Sequence, residues 1–237
     1  MRWCLLVFML SVMSAPCTDS SPRLRVLSAL NVPAAGLPGN HYVLTRTDPI
    51  NNTVRGAEYW LDFPQHRLMR REQGPDGVVT TWVSPVRGWQ QHNGVRRCLN
   101  ASERGQALAS LRYHFYYLFS QPTTQLTEVV AADETDGATP IMAEKWRVEA
   151  APLESFVIEL NASGQIVALE FASGRGVERN YRLVDGVWWP FRFESFAGDK
   201  RQLIGEFSQF TIRPVAMELD RADAERRCIA APASEAE

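Results

Sequence analysis

Between Asn180 and Pro214 three runs of alternating apolar and polar residues are joined by two turn signals, Asp185-Gly186 and Gly198-Asp199. An Asp-Gly pair between alternating runs is a strong hairpin signal. Val187, Trp189, Phe191 and Phe193 fall on one face of the middle run, and Leu203, Gly205 and Phe207 on one face of the next. Side chains alternate sides along a strand, so this stretch predicts a twisted sheet with one strongly aromatic face that something must cover.

The same period of two begins at His41. HYVLTRT, VRGAEYWLDF, HRLMRRE, VVTTWVS and RGWQQHNG read as five strands, with Tyr59, Leu61 and Phe63 sharing a face and Gly74-Pro75-Asp76-Gly77 forming a tight turn. TQLTEVVAA, MAEKWRVEA, SFVIELN and QIVALEFA continue the pattern further on. The first five, closely and evenly spaced, are expected to pair antiparallel in a meander, and about eleven strands are counted in all. Two segments carry a helical period instead. Leu24, Leu27 and Leu30 form a stripe behind Ser21-Pro22 and before Pro33. A longer helix is predicted from Ser102, as its cap, to Phe119, stopped by Pro122. Leu108, Leu111, Phe115 and Leu118 follow its apolar spacing, and Tyr113, Tyr116, Tyr117 and Phe119 make its second half apolar nearly all round, as in a buried helix. RADAERRC reads as a short final helix, and no linker divides residues 18–232, so a single domain with a polar tail at 233–237 is expected.

The N-terminus has the form of a signal peptide over residues 1–17. Arg2 precedes an apolar run from Trp3 to Met13, then Ser14, Ala15, Pro16 and Cys17. About 11 apolar residues suit a signal core and fall short of the roughly 20 that span a bilayer. Export, with the periplasm as the expected location, follows from this segment; no later run is long and apolar enough for a transmembrane segment. Cys17 raises lipidation, which would anchor the protein, but Pro16 sits where lipoprotein signals place a small residue, which favours simple cleavage. In an oxidising compartment Cys98 and Cys228 form a disulfide or remain as two buried thiols; the pairing would close a loop worth roughly 4–5 kcal/mol in the chain-entropy picture.

Composition narrows the function more than the motifs do. The chain of 237 residues is 45% hydrophobic and 22% charged with a formal charge of −2, so no nucleic-acid partner is predicted. No serine-hydrolase elbow, zinc-ligand spacing, phosphate loop or dinucleotide fingerprint occurs. His41, His66, His92 and His114 are scattered, and neither a metal nor a cofactor is predicted. Asp133-Glu134 and the pair Asp220 and Asp223 fall in predicted turns or the final helix, where solvated roles fit them. Three glycosylation-type triplets, at Asn51, Asn100 and Asn161, read as turns and a helix cap. Of seven tryptophans, Trp60, Trp82, Trp89, Trp146, Trp188 and Trp189 sit on predicted strands. Each serves as core, or as the lining of an apolar pocket where a helix leaves a curved sheet unfilled.

Tyr181 through Phe193, YRLVDGVWWPFRF, with the turn and run to Phe210, resembles the bacterial periplasmic lipoprotein-carrier superfamily of LolA and LolB. EYWLDFPQHRLMRRE, RGWQQHNG and FYYLFSQPTTQL resemble other parts of those chains. The resemblance implies a mainly β (α+β) fold, an open, incomplete antiparallel β-barrel wrapped around the mid-chain and N-terminal helices. It also implies a concave face that receives a hydrophobic ligand or lipoprotein acyl chains, and with no catalytic signature in the chain a non-enzymatic binding protein is expected. Tyr59, Leu61, Trp82, Leu111, Phe115, Leu118, Trp146, Phe171, Trp189, Phe191, Phe193 and Phe207 are the residues expected to line that cavity. The alternative is an envelope interaction or sensor module of the same fold, binding a protein partner by an exposed edge strand.

Overall fold

The structure, a computed structural model, describes residues 21–33, 36–112, 114–129, 144–150 and 154–225. Helix α1 (Pro22–Ala29) begins with proline in its first turn, where the missing N–H leaves no bond unmade. Six strands follow: β1 (Asn40–Asp48), β2 (Thr53–Asp62), β3 (Arg67–Gly74), β4 (Gly77–Val83), β5 (Gly88–His92) and β6 (Val95–Cys98). Helices α2 (Ala101–Arg112) and α3 (Phe115–Ser120) separate them from β7 (Gln125–Glu128), β8 (Glu144–Glu149), β9 (Phe156–Leu160), β10 (Ile166–Phe171), β11 (Gly174–Val184), β12 (Val187–Ala197) and β13 (Lys200–Ile212). Helix α4 (Ala216–Glu225) comes last.

The strands form one 13-stranded antiparallel sheet in the order β6-β5-β4-β3-β2-β1-β13-β12-β11-β10-β9-β8-β7. Two meanders, β1 to β6 and β7 to β13, meet where β1 pairs with β13. The sheet is not closed: β6 and β7 are its edges. Asp185 and Gly186, at φ 50° and 82°, form the tight β11–β12 turn that the Asp-Gly signal demands, since both positions need positive φ.

The sheet buries side chains on both faces. Its inner face and helices α1 to α3 share the main core, which includes Leu27, Leu30, Tyr42, Leu61, Leu118, Ile158 and Trp189. A smaller cluster lies on the outer face, where Val215 and Leu219 pack on Trp82 and Trp89 beside Trp60 and Met69. The Trp82 indole N–H donates to the Leu219 carbonyl at 3.1 Å. Arg67 bonds both Asp62 and Asp220, and Arg87 bonds Asp223, so ion pairs hold α4 to the sheet as well.

Four expectations need correction. The count is thirteen strands rather than about eleven, partly because VRRC, with no apolar alternation of its own, pairs with β5 as β6. The Ser102–Phe119 helix is two helices, broken at the extended His114 (φ −80°, ψ 112°). Its cap is Asn100 instead of Ser102: the Asn100 carboxamide oxygen accepts from the Glu103 N–H and the Glu103 carboxylate from the Asn100 N–H, both at 2.9 Å, a reciprocal capping box. The final helix begins at Ala216, five residues before the arginine-led stretch that suggested it. Cys17, Cys228, the signal segment and the tail lie outside the described residues.

Candidate ligand-binding face

Strand register assembles the inner face in rows. Tyr42 on β1 is opposite Tyr59 on β2 and Phe210 on β13; Leu44 is opposite Ala57 and Phe207; Arg46 is opposite Arg55 and Gly205. Phe207 and Phe210 are three residues apart, so strict alternation would put them on opposite faces. A bulge at Ser208, opposite the Val43–Leu44 step, brings both inward.

Trp189 closes one half of this face. Its ring stacks on Phe210 at 3.8 Å and meets Phe207 edge-on at 5.5 Å; Tyr42 lies 6.3 Å away and itself stacks on Tyr59 at 4.8 Å. Stacked and edge-on pairs add about 0.5–1.5 kcal/mol each beyond the area they bury. The helix break supplies the cover. The buried imidazole of His114 lies 5.0 Å from both Trp189 and Phe63. Its Nε2 accepts a 3.0 Å bond from the side-chain N–H of Asn40, which has no solvent exposure. Burial pushes the His114 imidazole down to about 3, so the ring is neutral at ordinary pH. The Tyr42 phenol is likewise held neutral by burial, with the neighbouring Tyr59 acting in the same direction.

The other half is less covered. Phe191, Phe193 and Phe207 are half-buried, with centroids 6.5 Å apart for Phe191–Phe207 and 5.9 Å for Phe193–Phe207. Gly205 makes this possible: a Cβ there would stand 2.0 Å from the Phe193 ring, so the ring lies across β13 only because that position has no side chain. Polar groups border the aromatic patch. Arg46 bonds the Tyr59 hydroxyl and, at 3.1 Å, Glu72; Arg70 approaches the same carboxylate at 3.5 Å. Arg182 sits 4.2 Å from the Phe191 ring centre. Glu178, opposite Phe193 on β11, has its carboxyl pushed up to about 8 by desolvation.

The predicted lining residues thus separate into groups. Phe171, Phe191, Phe193 and Phe207 are half-buried on the inner side, with Phe171 stacked on Phe156 at 5.1 Å. Tyr59, Leu61, Leu111, Leu118, Trp146 and Trp189 are buried in the core among other protein atoms. Trp82 is not with them; it faces outward under α4, because Trp60, Met69, Trp82 and Trp89 follow one another across β2 to β5 on the outer side. The Phe115 side chain lies outside the described residues. Sequence reasoning missed Phe210, Tyr42, His114 and the Arg46–Glu72–Arg70 group. The available signal was in HYVLTRT, where Tyr42, Leu44 and Arg46 share a face and put a cation at an inward position. An outer-face groove of about 560 Å³, lined by Trp60, Met69, Arg71, Thr80, Gln91 and Asn93, is a separate concavity of mixed polarity. Among the described residues no helix is long and apolar enough to cross a membrane.

No family model and no curated protein matches the sequence. Solved structures do share its architecture. A LolA superfamily protein from Nitrosomonas europaea superimposes with a TM-score of 0.52, covering 83% of this chain and 96% of its own at 9% identity. The fold is the LolA-like half-barrel. A DUF1329 family protein from Desulfovibrio piger superimposes equally well, at 0.52 and 7% identity, over 81% of this chain and 91% of its own. At such identities the likeness is one of fold, and the side chains on the LolA-like inner face must be read on their own terms.

Proposed function

We propose that this chain is an exported, non-enzymatic binding protein that holds an acyl chain, of a lipid or a lipoprotein, against Phe191, Phe193 and Phe207. The observation that carries this reading is the half-buried aromatic trio beside a buried core on the inner face of an unclosed LolA-like sheet. Each methylene removed from water contributes about 0.8 kcal/mol, so ten of them offset the cost of association with little help from polar chemistry. Residues 1–17 direct export to the periplasm, and lipidation at Cys17 would add an anchor.

Mass spectrometry of the purified protein is expected to find co-purified lipid, and the delipidated protein should bind a fluorescent fatty acid. Gly205→Val forces the Phe193 ring off β13 and is expected to weaken that binding at least tenfold while leaving the circular dichroism spectrum unchanged. A lipid-free protein that ignores the fatty acid and instead cross-links to an envelope protein would support the interaction-module alternative.

Helix α4 ends three residues before Cys228 in the sequence, and Cys98 ends edge strand β6. We propose that the two pair in the oxidising compartment. Non-reducing peptide mapping should recover one linked peptide containing both; alkylation of both as free thiols would refute the pairing.

A further inference from the structure

The Phe191–Phe193–Phe207 patch is flanked by more cationic than anionic side chains. Arg46 and Arg70 both turn to Glu72, and among the described residues neither is paired with any other carboxylate. One carboxylate between two guanidinium groups leaves a positive charge in excess. These three side chains are about a third exposed, enough for a solute to reach them and little enough for solvent to screen them only in part. Arg46 also makes the contact to the buried Tyr59 hydroxyl and lies over that ring at 5.5 Å, which fixes its guanidinium in place. Its position relative to the apolar patch follows from register: Arg46 is opposite Gly205, and Gly205 is the residue covered by the Phe193 ring. On the far side Arg182 lies over Phe191. Glu178, opposite Phe193 on β11, is half-buried, and desolvation pushes its carboxyl toward the neutral form.

We propose that the site selects anionic amphiphiles: the acyl chain lies on Phe193 and Phe207, and its carboxylate or phosphate head accepts hydrogen bonds from Arg46 and Arg70. This rests on the acyl-chain reading above and adds the chemistry of the head group. A guanidinium offers paired N–H donors that match the oxygens of either anion, and charge-assisted bonds are about twice as strong as neutral ones. A neutral head of the same size would leave the excess charge unanswered.

The test is displacement of the neutral probe N-phenyl-1-naphthylamine by oleate, oleyl phosphate and oleyl alcohol. The proposal expects at least one anion to bind ten or more times tighter than the alcohol, and the tighter of the two anions identifies the head group. Arg46→Met should abolish most of that advantage while alcohol binding persists, which also shows that the variant is folded, and Arg46→Lys should keep part of it. Equal affinity for anions and alcohol, or an advantage unchanged in Arg46→Met, overturns the head-group assignment but leaves the acyl site standing. Failure of all three to displace a bound probe overturns both.

Discussion

Trp189→Ala is expected to lower the unfolding free energy by about 3–5 kcal/mol, the range for deleting a large aromatic from a packed core. The indole is 5% exposed, stacked on Phe210 and covered by His114, and the void left by its removal is enclosed by rings that cannot all shift inward. Phe193→Ala, on the same strand and four residues on, should cost about 1 kcal/mol, because its ring is already partly in contact with solvent. Urea denaturation of the two variants measures the contrast. Similar losses for both would mean that the inner face is packed evenly from end to end, with no part of it reserved for a guest.

The second large effect is a loss of stability in acid through His114. Its folded-state imidazole is held down at about 3 by burial, whereas the unfolded residue titrates near 6.5. The unfolded state therefore binds the extra proton first, and stability present above pH 6.5 is lost as the pH falls. Between pH 7 and pH 4 the loss from this residue is about 3 kcal/mol. Geometry supports the sign: Nε2 already accepts the Asn40 N–H, so a proton there would set two donors against each other in a dry site. His114→Phe keeps an aromatic cover on Trp189 and removes the titration. Its stability measured at pH 7 and pH 4 should differ less than that of the parent protein by about the same amount. An unchanged difference would show that His114 becomes solvated well before the protein unfolds.

Much of this architecture was legible in alternation alone. The Asp185-Gly186 hairpin, the aromatic faces of β12 and β13 and the meander from β1 to β5 all follow from a period of two and from turn chemistry. The resemblance from Tyr181 to Phe193 placed the fold in the right class. What alternation hides is where it breaks. Phe210 joins Phe207 on the inner face only through the bulge at Ser208, and a bulge adds a residue without leaving a sign in composition. Nothing in VVTTWVS itself says which side of the sheet Trp82 takes; the cover that turns it outward, α4, lies more than a hundred residues away in the chain. The helix break has a similar origin. FYYLFS continues the apolar run of α2, yet His114 leaves the helix to fill the space between Phe63 and Trp189, a demand set by strands distant in sequence. The alternation of HYVLTRT is enough to put Arg46 on the inner face, but its meaning depends on Glu72 and Arg70 on β3 and Gly205 on β13.

The patch of Phe191, Phe193 and Phe207 is the centre of the functional account, and photolabelling tests it directly. A fatty acid carrying a diazirine on its chain, bound to the delipidated protein and irradiated, should mark the peptides of β12 and β13 that contain Phe193 and Phe207, and excess oleate should compete the label away. Labelling that instead concentrates on the outer groove, on peptides containing Trp60, Met69 or Gln91, or that oleate does not compete, would contradict it.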